Sequence, residues 1–299
     1  MNESVLLVNG HRSAAGLVEL VRIRACLGGA ASVLLGAFLA RGVAGLTERN
    51  CLVGSVAIAL AVAVANVVND VVDLPTDAAS GRSRPLPSGR VRVSTARIAA
   101  VALAVTALAL AATAGVVPVL AMGALLLLAT AYSFLFKSTV LVGNLVVAGC
   151  ASAPVVYGGF LAGSVAPAIW VAAGLSFLFM LAYEALKTLR DGEPDAAAGL
   201  RTLATWTGPA WSVRLFAACS IMLGAALLAA AAASPAALPY LVCVLPLLAL
   251  IGAAGAPFVG RSQTRKRATT RPADAAIERS LRLLKMAWLV GLIDMAWLR

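Results

Sequence analysis

Long apolar blocks follow one another along almost the whole chain, and no other feature narrows its possible folds as much. A run of about 18 to 25 predominantly apolar residues is long enough to cross the hydrocarbon core of a bilayer as a helix. Nine such runs occur, at roughly 17–40, 51–73, 94–115, 116–136, 139–162, 166–188, 209–233, 238–259 and 281–298. The third and fourth meet at a tight turn, Gly115 to Pro118. Hydrophobic residues make up 61% of the chain and charged residues only 12%, and no segment between the blocks has the composition of a separate soluble domain. These features predict a single domain, 1–299, that is an all-α polytopic membrane protein of nine transmembrane helices.

A net charge of +11 in a soluble protein would point to nucleic acid. In a membrane protein the position of the positive charges matters more, because cytoplasmic loops collect Lys and Arg. With the N-terminus inside, 21 of the 24 basic residues fall on the cytoplasmic side, leaving Arg41, Arg49 and Arg299 outside. This predicts a cytoplasmic N-terminus and an outer C-terminus, in a bacterial inner or plasma membrane. The first ten residues lack a signal-peptide pattern, and the run beginning near Arg22 and Arg24 is too long for a signal h-region. The basic stretch 260–279 reads as a cytoplasmic loop drawn to anionic headgroups, with no nucleic-acid partner. The five cysteines lie in or beside apolar spans without CxxC pairing, which suits small packing residues. His11, the single histidine, sits in the N-terminal tail and reads as a surface residue.

Acids are scarce, and their placement is uneven. Seven of the thirteen lie in two places: Asp70, Asp73 and Asp77 after the second span, and Glu184, Asp191, Glu193 and Asp195 after the sixth. Asn69, Asp73 and Asp77 stand four residues apart, which aligns them on one helix face. Pro75 is expected to end that helix, so that Asp77 reaches back from a loop. Lys187, Asp191 and Asp195 repeat the spacing, with Pro194 before the last acid. An offset of 118 residues relates all four pairs: Asn69 to Lys187, Asp73 to Asp191, Asp77 to Asp195, and Gly81 to Gly199. The match hints at two weak internal halves, about 17–136 and 139–259, followed by the ninth helix at 281–298.

Two facing carboxylate clusters would repel each other unless neutralised, and an all-oxygen site of that kind suits Mg²⁺. Arg82, Arg84, Lys137 and Lys187 lie at the same ends as the acids. Carboxylates alone would serve a cation transporter, although such proteins place them near mid-membrane on broken helices. Carboxylates together with Arg and Lys suit a magnesium-bridged diphosphate, whose oxygens need both metals and direct donors. The apolar interior suits a long hydrocarbon tail.

These residues also resemble a known family. "NDVVDLPTD" fits the NDxxDxxxD motif of the UbiA superfamily of intramembrane prenyltransferases, and "RPLPSG" follows it as it does there. Tyr132, Ser133, Lys137, Gly143 and Asn144 resemble the family's central pattern, and "EALKTLRDGEPD" resembles its second acidic motif. The resemblance spans essentially the whole chain. It implies a bundle of helices around a central cavity with cytoplasmic loops as a cap. Asn69, Asp73 and Asp77 would hold one Mg²⁺, and Asp191 and Asp195 a second bridged to it by the diphosphate. Asp70 would be a ligand or a neighbour that orients the ligands. Arg22, Arg84, Lys137 and Lys187, with Asn69, would contact an isoprenyl diphosphate, and Asp73, Asp77, Asp191, Asp195 and Lys137 would carry the catalysis.

The implied reaction is ionisation of the isoprenyl diphosphate to an allylic carbocation, followed by capture on an aromatic or lipid-type acceptor. Tyr132, Tyr157 and Tyr183 are candidates to stabilise the cation with their ring faces, or else packing residues. The rival is a terpene cyclase of the same superfamily, which would use the same metal site but mould the chain with bulky side chains. The low aromatic content, 6%, favours a roomy cavity and a transferase. Three positions depart from the family pattern: Tyr183 and Thr188, where relatives carry Arg and Asp, and Ala25, where many carry Asn. They leave the acidic motifs intact and bear on the acceptor.

Overall fold

The computed structural model of the chain describes residues 14–79, 83–234, 237–259 and 274–299. Every regular element among them is helical: α1 (14–21), α2 (Ile23–Arg41), α3 (Val43–Thr47), α4 (Arg49–Val72), α5 (Leu74–Ala79), α6 (Val93–Ala112), α7 (Val116–Ala131), α8 (Val142–Leu161), α9 (Pro167–Ala197), α10 (Leu203–Trp206), α11 (Pro209–Ala233), α12 (Ala237–Gly255) and α13 (Asp274–Met295). Beyond its last α-helical turn α7 continues through a π-helical segment, Tyr132–Phe136. Among the described residues, eight helices are long and apolar enough to cross a membrane: α2, α4, α6, α7 with its extension, α8, α9, α11 and α12 with its terminal turn. The ninth predicted span is also a helix, 22 residues long. It begins seven residues earlier than expected and carries Glu278, Arg279, Arg282, Lys285 and Asp294. Its buried stripe, Ile277, Leu281, Leu284, Ala287 and Gly291, recurs every three or four residues and packs on α12, α9 and α2.

Burial varies between the helices, with α2 intermediate at 39%. About half or more of the most apolar window is buried in α4 (50%), α8 (50%) and α9 (61%), against 22% in α6, 17% in α7, and 28% in α11 and α12. The poorly buried helices turn Val105, Leu127 and Ile221 outward, as lipid-facing surfaces require. Trp206 and Trp211 are exposed near the C-terminal end of α9, whereas Trp170 and Trp297 are exposed at the opposite end of the bundle. Indole rings favour the two headgroup levels, and these two pairs mark them.

Three boundaries depart from the expectation. The sixth span does not stop near 188: α9 runs to Ala197, so Asp191 and Asp195 stand on a continuous helix with Pro194 inside it. Leu186 and Leu189, both nearly fully buried, anchor these turns despite their polar neighbours. Asp77 is not on a loop either. Backbone at Asp73 (φ −78°, ψ −4°) interrupts the helix for a single residue, and α5 then carries Asp77, with Pro75 in its first turn, where a missing N–H does no harm. Finally, the first span is broken at Arg22, the only non-glycine residue with positive φ among those described (φ 56°, ψ 62°). The five cysteines are unpaired and buried or half-buried, as expected of packing residues. His11, Arg12, Gly81, Arg82 and the basic segment 260–273 lie outside the described residues.

Candidate active site

The first acidic motif is assembled where α4 hands over to α5. The Asp73 N–H donates to the Asn69 carbonyl at 2.8 Å, and the Asp77 N–H to the Asp73 carbonyl at 2.8 Å, so the interrupted helix keeps its hydrogen-bond register. Asp70, Asp73 and Asp77 are all buried, with relative exposures of 5%, 9% and 2%. Carboxylates so far from water need partners, and each has one. Asn69 Nδ2 donates to Asp73 Oδ2 at 2.8 Å, and Lys137 forms an ion pair with the other Asp73 oxygen. Arg84 Nη1 bridges Asp70 Oδ1 (3.1 Å) and Asp77 Oδ2 (2.8 Å), while Arg22 Nη2 reaches Asp70 Oδ1 at 2.5 Å.

Arg22 arrives there because of the break between α1 and α2. Left-handed backbone costs an ordinary residue about 1–2 kcal/mol. The freed Val21 carbonyl is taken by Asn66 Nδ2 at 3.0 Å, a contact that also ties the break to α4. On the far side of the break α1 packs over the segment 83–92: Leu20 is fully buried in a cluster with Val67, Leu86 and Val91. Arg90 adds a two-pronged ion pair to Glu19, at 2.7 and 3.2 Å.

The second motif lies along one stripe of α9. Glu184, Lys187, Thr188, Asp191 and Asp195 follow at helical spacing, and the last turn closes with the Leu200 N–H on the Asp195 carbonyl at 2.8 Å. Arg190 grips Asp191 with Nε and Nη2 at 3.0 and 2.9 Å. Lys187 Nζ donates to both oxygens of the buried Glu184, at 3.0 and 3.1 Å. Thr188 donates to the Glu184 carbonyl at 2.8 Å and accepts a bond from Asn144 Nδ2 at 3.0 Å, which joins α9 to α8.

The π-helical end of α7 links the two motifs. The Lys137 N–H bonds to the Tyr132 carbonyl at 2.9 Å, the wider turn that carries its side chain to Asp73. Gly143 lets α8 start against this turn, since a β-carbon there would run into the Phe136 carbonyl. The neighbouring Ser138 accepts a hydrogen bond from the Arg201 N–H at 3.1 Å, fastening the loop after α9. Tyr132 lies within electrostatic reach of Asp73, Glu184, Lys187 and Asp195, between the two acid groups. Tyr183 lies beside Glu184, Lys187, Arg190 and Asp191. Tyr157 is not part of this centre. It is 4% exposed near the far end of α8, its hydroxyl directed to the Pro118 carbonyl at 3.4 Å, and it packs there as a core residue.

The structure therefore brings together Arg22, Asn69, Asp70, Asp73, Asp77, Arg84, Tyr132, Lys137, Tyr183, Lys187, Asp191 and Asp195. Residues absent from the predicted set are Asn66, Asn144, Glu184 and Arg190. Glu184 was legible as one of the seven clustered acids, one turn before Lys187 on the same stripe, and Asn66 as the next step back from Asn69. Among the described residues, no three acid, His or Cys side chains stand close enough to enclose a metal by themselves. Every candidate ligand is an oxygen donor, the chemistry Mg²⁺ prefers, so further oxygens must come from a bound group. A cavity of about 450 Å³ lies on the opposite face of α4, lined by Val68, Val71, Val72, Arg97, Ala100 and Phe134, away from the acids.

A helical membrane bundle with paired acidic motifs and basic side chains at one end defines an integral membrane enzyme with a charged centre above an apolar interior. The model of the UbiA prenyltransferase family matches residues 30–277, and the chain belongs to that family as a UbiA-type prenyltransferase. It is 32% identical over 235 residues to the digeranylgeranylglyceryl phosphate synthase of Methanopyrus kandleri, covering 78% of this chain and 85% of that protein. Two solved structures share the fold. One is a UbiA homolog from Archaeoglobus fulgidus bound to GPP and Mg²⁺ (TM-score 0.68, 17% identity, 94% of this chain and 99% of that one). The other is an apo UbiA homolog from Aeropyrum pernix K1 (TM-score 0.71, 18% identity, 91% and 98%).

Proposed function

We propose that the chain uses Mg²⁺ to transfer an isoprenyl group, of geranylgeranyl class, from its diphosphate to the free hydroxyl of a glyceryl phosphate lipid. The observation that carries this reading is the approach of α5 to α9, with Tyr132 in electrostatic reach of acids from both motifs, beside Arg22, Arg84, Lys137 and Lys187 at one end of the bundle. The acceptor class follows the product for which the Methanopyrus kandleri relative is named. The donor head and metal follow the GPP and Mg²⁺ held by the Archaeoglobus fulgidus homolog. Asn69, Asp73 and Asp77 would hold one ion and Asp191 and Asp195 a second, with the diphosphate supplying the remaining oxygens. Asp70, engaged by two arginines, orients them. The distribution of Lys and Arg supports a cytoplasmic site and N-terminus, α13 as a ninth span, and α1 with the segment 83–92 as part of a cytoplasmic cap.

When bound, Mg²⁺ neutralises the charge that gathers on the departing diphosphate. The protein's own part is an exchange of partners. Arg84 pairs with Asp77 and Lys137 with Asp73 in the ligand-free chain, and both cations would turn to phosphate oxygens when those carboxylates hold metal, while Arg22 keeps the buried Asp70 paired. No buried charge is stranded in the exchange, which keeps its energetic cost low. The tail extends into the apolar interior, where exclusion of water protects the allylic cation from quenching. We assign cation stabilisation to the rings of Tyr132 and Tyr183, whereas Tyr157 packs near the far end of α8.

Incubation of the purified protein with Mg²⁺ and geranylgeranyl diphosphate tests this reading, with three arms: a monoprenyl glyceryl phosphate, an aromatic acid, or no acceptor. The expected main product is the diprenyl ether. Transfer to the aromatic ring would change the acceptor class, and a cyclic hydrocarbon or alcohol without acceptor would replace the transferase by a cyclase. Replacement of Lys137 by Met should raise the donor KM about tenfold, or roughly 1.4 kcal/mol, with unchanged thermal unfolding. A donor KM equal to that of the wild type would remove Lys137 from the site.

A further inference from the structure

Etherification requires more than ionisation of the donor. The acceptor oxygen attacks C1 of the isoprenyl chain, the C1–O bond breaks with its electron pair leaving on the diphosphate, and the acceptor's proton must go to a base. Arg22, Arg84, Lys137 and Lys187 are cations and cannot receive it. Asp73, Asp77, Asp191 and Asp195 are the acids assigned to the metal ions, and Asp70 is held by Arg22 and Arg84, all at the level of the diphosphate head.

Glu184 stands elsewhere. It lies on the same stripe of α9 as Asp191 and Asp195, seven residues before Asp191 and hence about 10 Å further into the bundle along the axis. Its exposure is only 5%. An isoprenyl diphosphate with its head between the motifs and its tail in the apolar interior places C1 below the head, in the layer that holds Glu184 and the Tyr132 phenol. Lys187 grips both Glu184 oxygens, and the third proton on its Nζ is left for a phosphate oxygen. The single ammonium thus ties the base to the leaving group.

We propose that Glu184, aimed by Lys187, accepts the proton of the acceptor hydroxyl as the C–O bond forms. The proton is handed on to water when the product leaves. This inference rests on the reading of a hydroxyl acceptor given above.

The test compares wild type, Glu184→Gln and Glu184→Asp in steady-state transfer to a monoprenyl glyceryl phosphate, with donor KM and kcat measured separately. Gln keeps the shape and an oxygen for Lys187 but cannot take a proton. General-base catalysis contributes about 10²–10⁴-fold, so kcat should fall within that range in Glu184→Gln with donor KM changed less than about threefold. Glu184→Asp should restore part of kcat. A Gln variant with wild-type kcat overturns the inference alone. So does a rise in donor KM that accounts for the whole defect, because Glu184 would then only hold Lys187. If Gln does not yield folded protein, a Glu184→Ala variant with wild-type kcat per folded molecule counts equally against it. A wild type that makes no ether overturns the acceptor reading, and this inference with it.

Discussion

Replacing Asp73 or Asp191 with Asn should reduce metal-dependent diphosphate release on the order of 10³-fold while the helical content stays unchanged. Each residue stands at the centre of one motif, and each is paired with a basic side chain: Lys137 for Asp73 and Arg190 for Asp191. Loss of a group that neutralises transition-state charge in a buried site typically costs 10²–10³-fold or more. Asn keeps the volume and one oxygen, so Asn69 retains its 2.8 Å partner in the first motif and the packing of α4 is spared. Ala at the same positions should be at least as severe in activity. The measurement is diphosphate release across a Mg²⁺ titration, beside circular dichroism. Near-wild-type release at saturating Mg²⁺ would reduce the acids to counter-ions for their own loops. Transport of a cation without diphosphate release would revive the transporter discarded from the sequence.

Much of this site could be read from the chain because two separate signals coincide in it. Hydropathy located the spans to within a few residues wherever a span ends in a turn, as at Gly115 or Gly163, and motif spacing then put the acids on helix faces. Where a helix outlives its apolar stretch, hydropathy is blind. The last turns of α9 are polar on the side that faces the acids, yet Leu186 and Leu189 bury the other side, so the helix continues to Ala197. Proline misled in the same way. Pro75 is a helix breaker only if the helix was running through it, and Asp73 had already interrupted it. The left-handed backbone at Arg22 had no sequence signal, because Gly or Asn would be the usual occupant of such a conformation. Partners across helices were illegible for a simpler reason. That Tyr157 donates to Pro118 while Tyr132 faces Asp73 depends on how α7 crosses α8 and α4, and the spacing within one helix carries no information about that.

The crossing of α2 and α8 leads to the second large effect, the replacement of Gly36 or Gly158 by Leu. A β-carbon on Gly36 would overlap the Val155 carbonyl, and one on Gly158 would overlap the Val33 carbonyl, so each glycine lies directly against the backbone of the other helix. Between lipid-soluble helices there is no hydrophobic driving force, and close backbone approach through small residues is what lets them pack. Overpacking an ordinary core costs about 1–3 kcal/mol; here the obstacle is backbone, which cannot rotate away, so the loss should exceed about 3 kcal/mol. Detergent-solubilised Gly36→Leu and Gly158→Leu should therefore unfold at clearly lower temperature or elute as aggregate. Gly149→Ala and Gly174→Ala, where an added methyl meets nothing within 4 Å, should behave as wild type. Equal thermal stability of Gly158→Leu and Gly174→Ala would show that the two backbones do not touch. The effect should also reach the chemistry. Helix α2 begins at Arg22, which reaches Asp70, and α8 begins beside Asn144, which holds Thr188. The separation of α2 from α8 thus governs where the basic head of one motif stands relative to the helix that carries the other. Gly36→Ala, which brings the same β-carbon without the Leu branches, should lower the transfer activity of whatever fraction still folds.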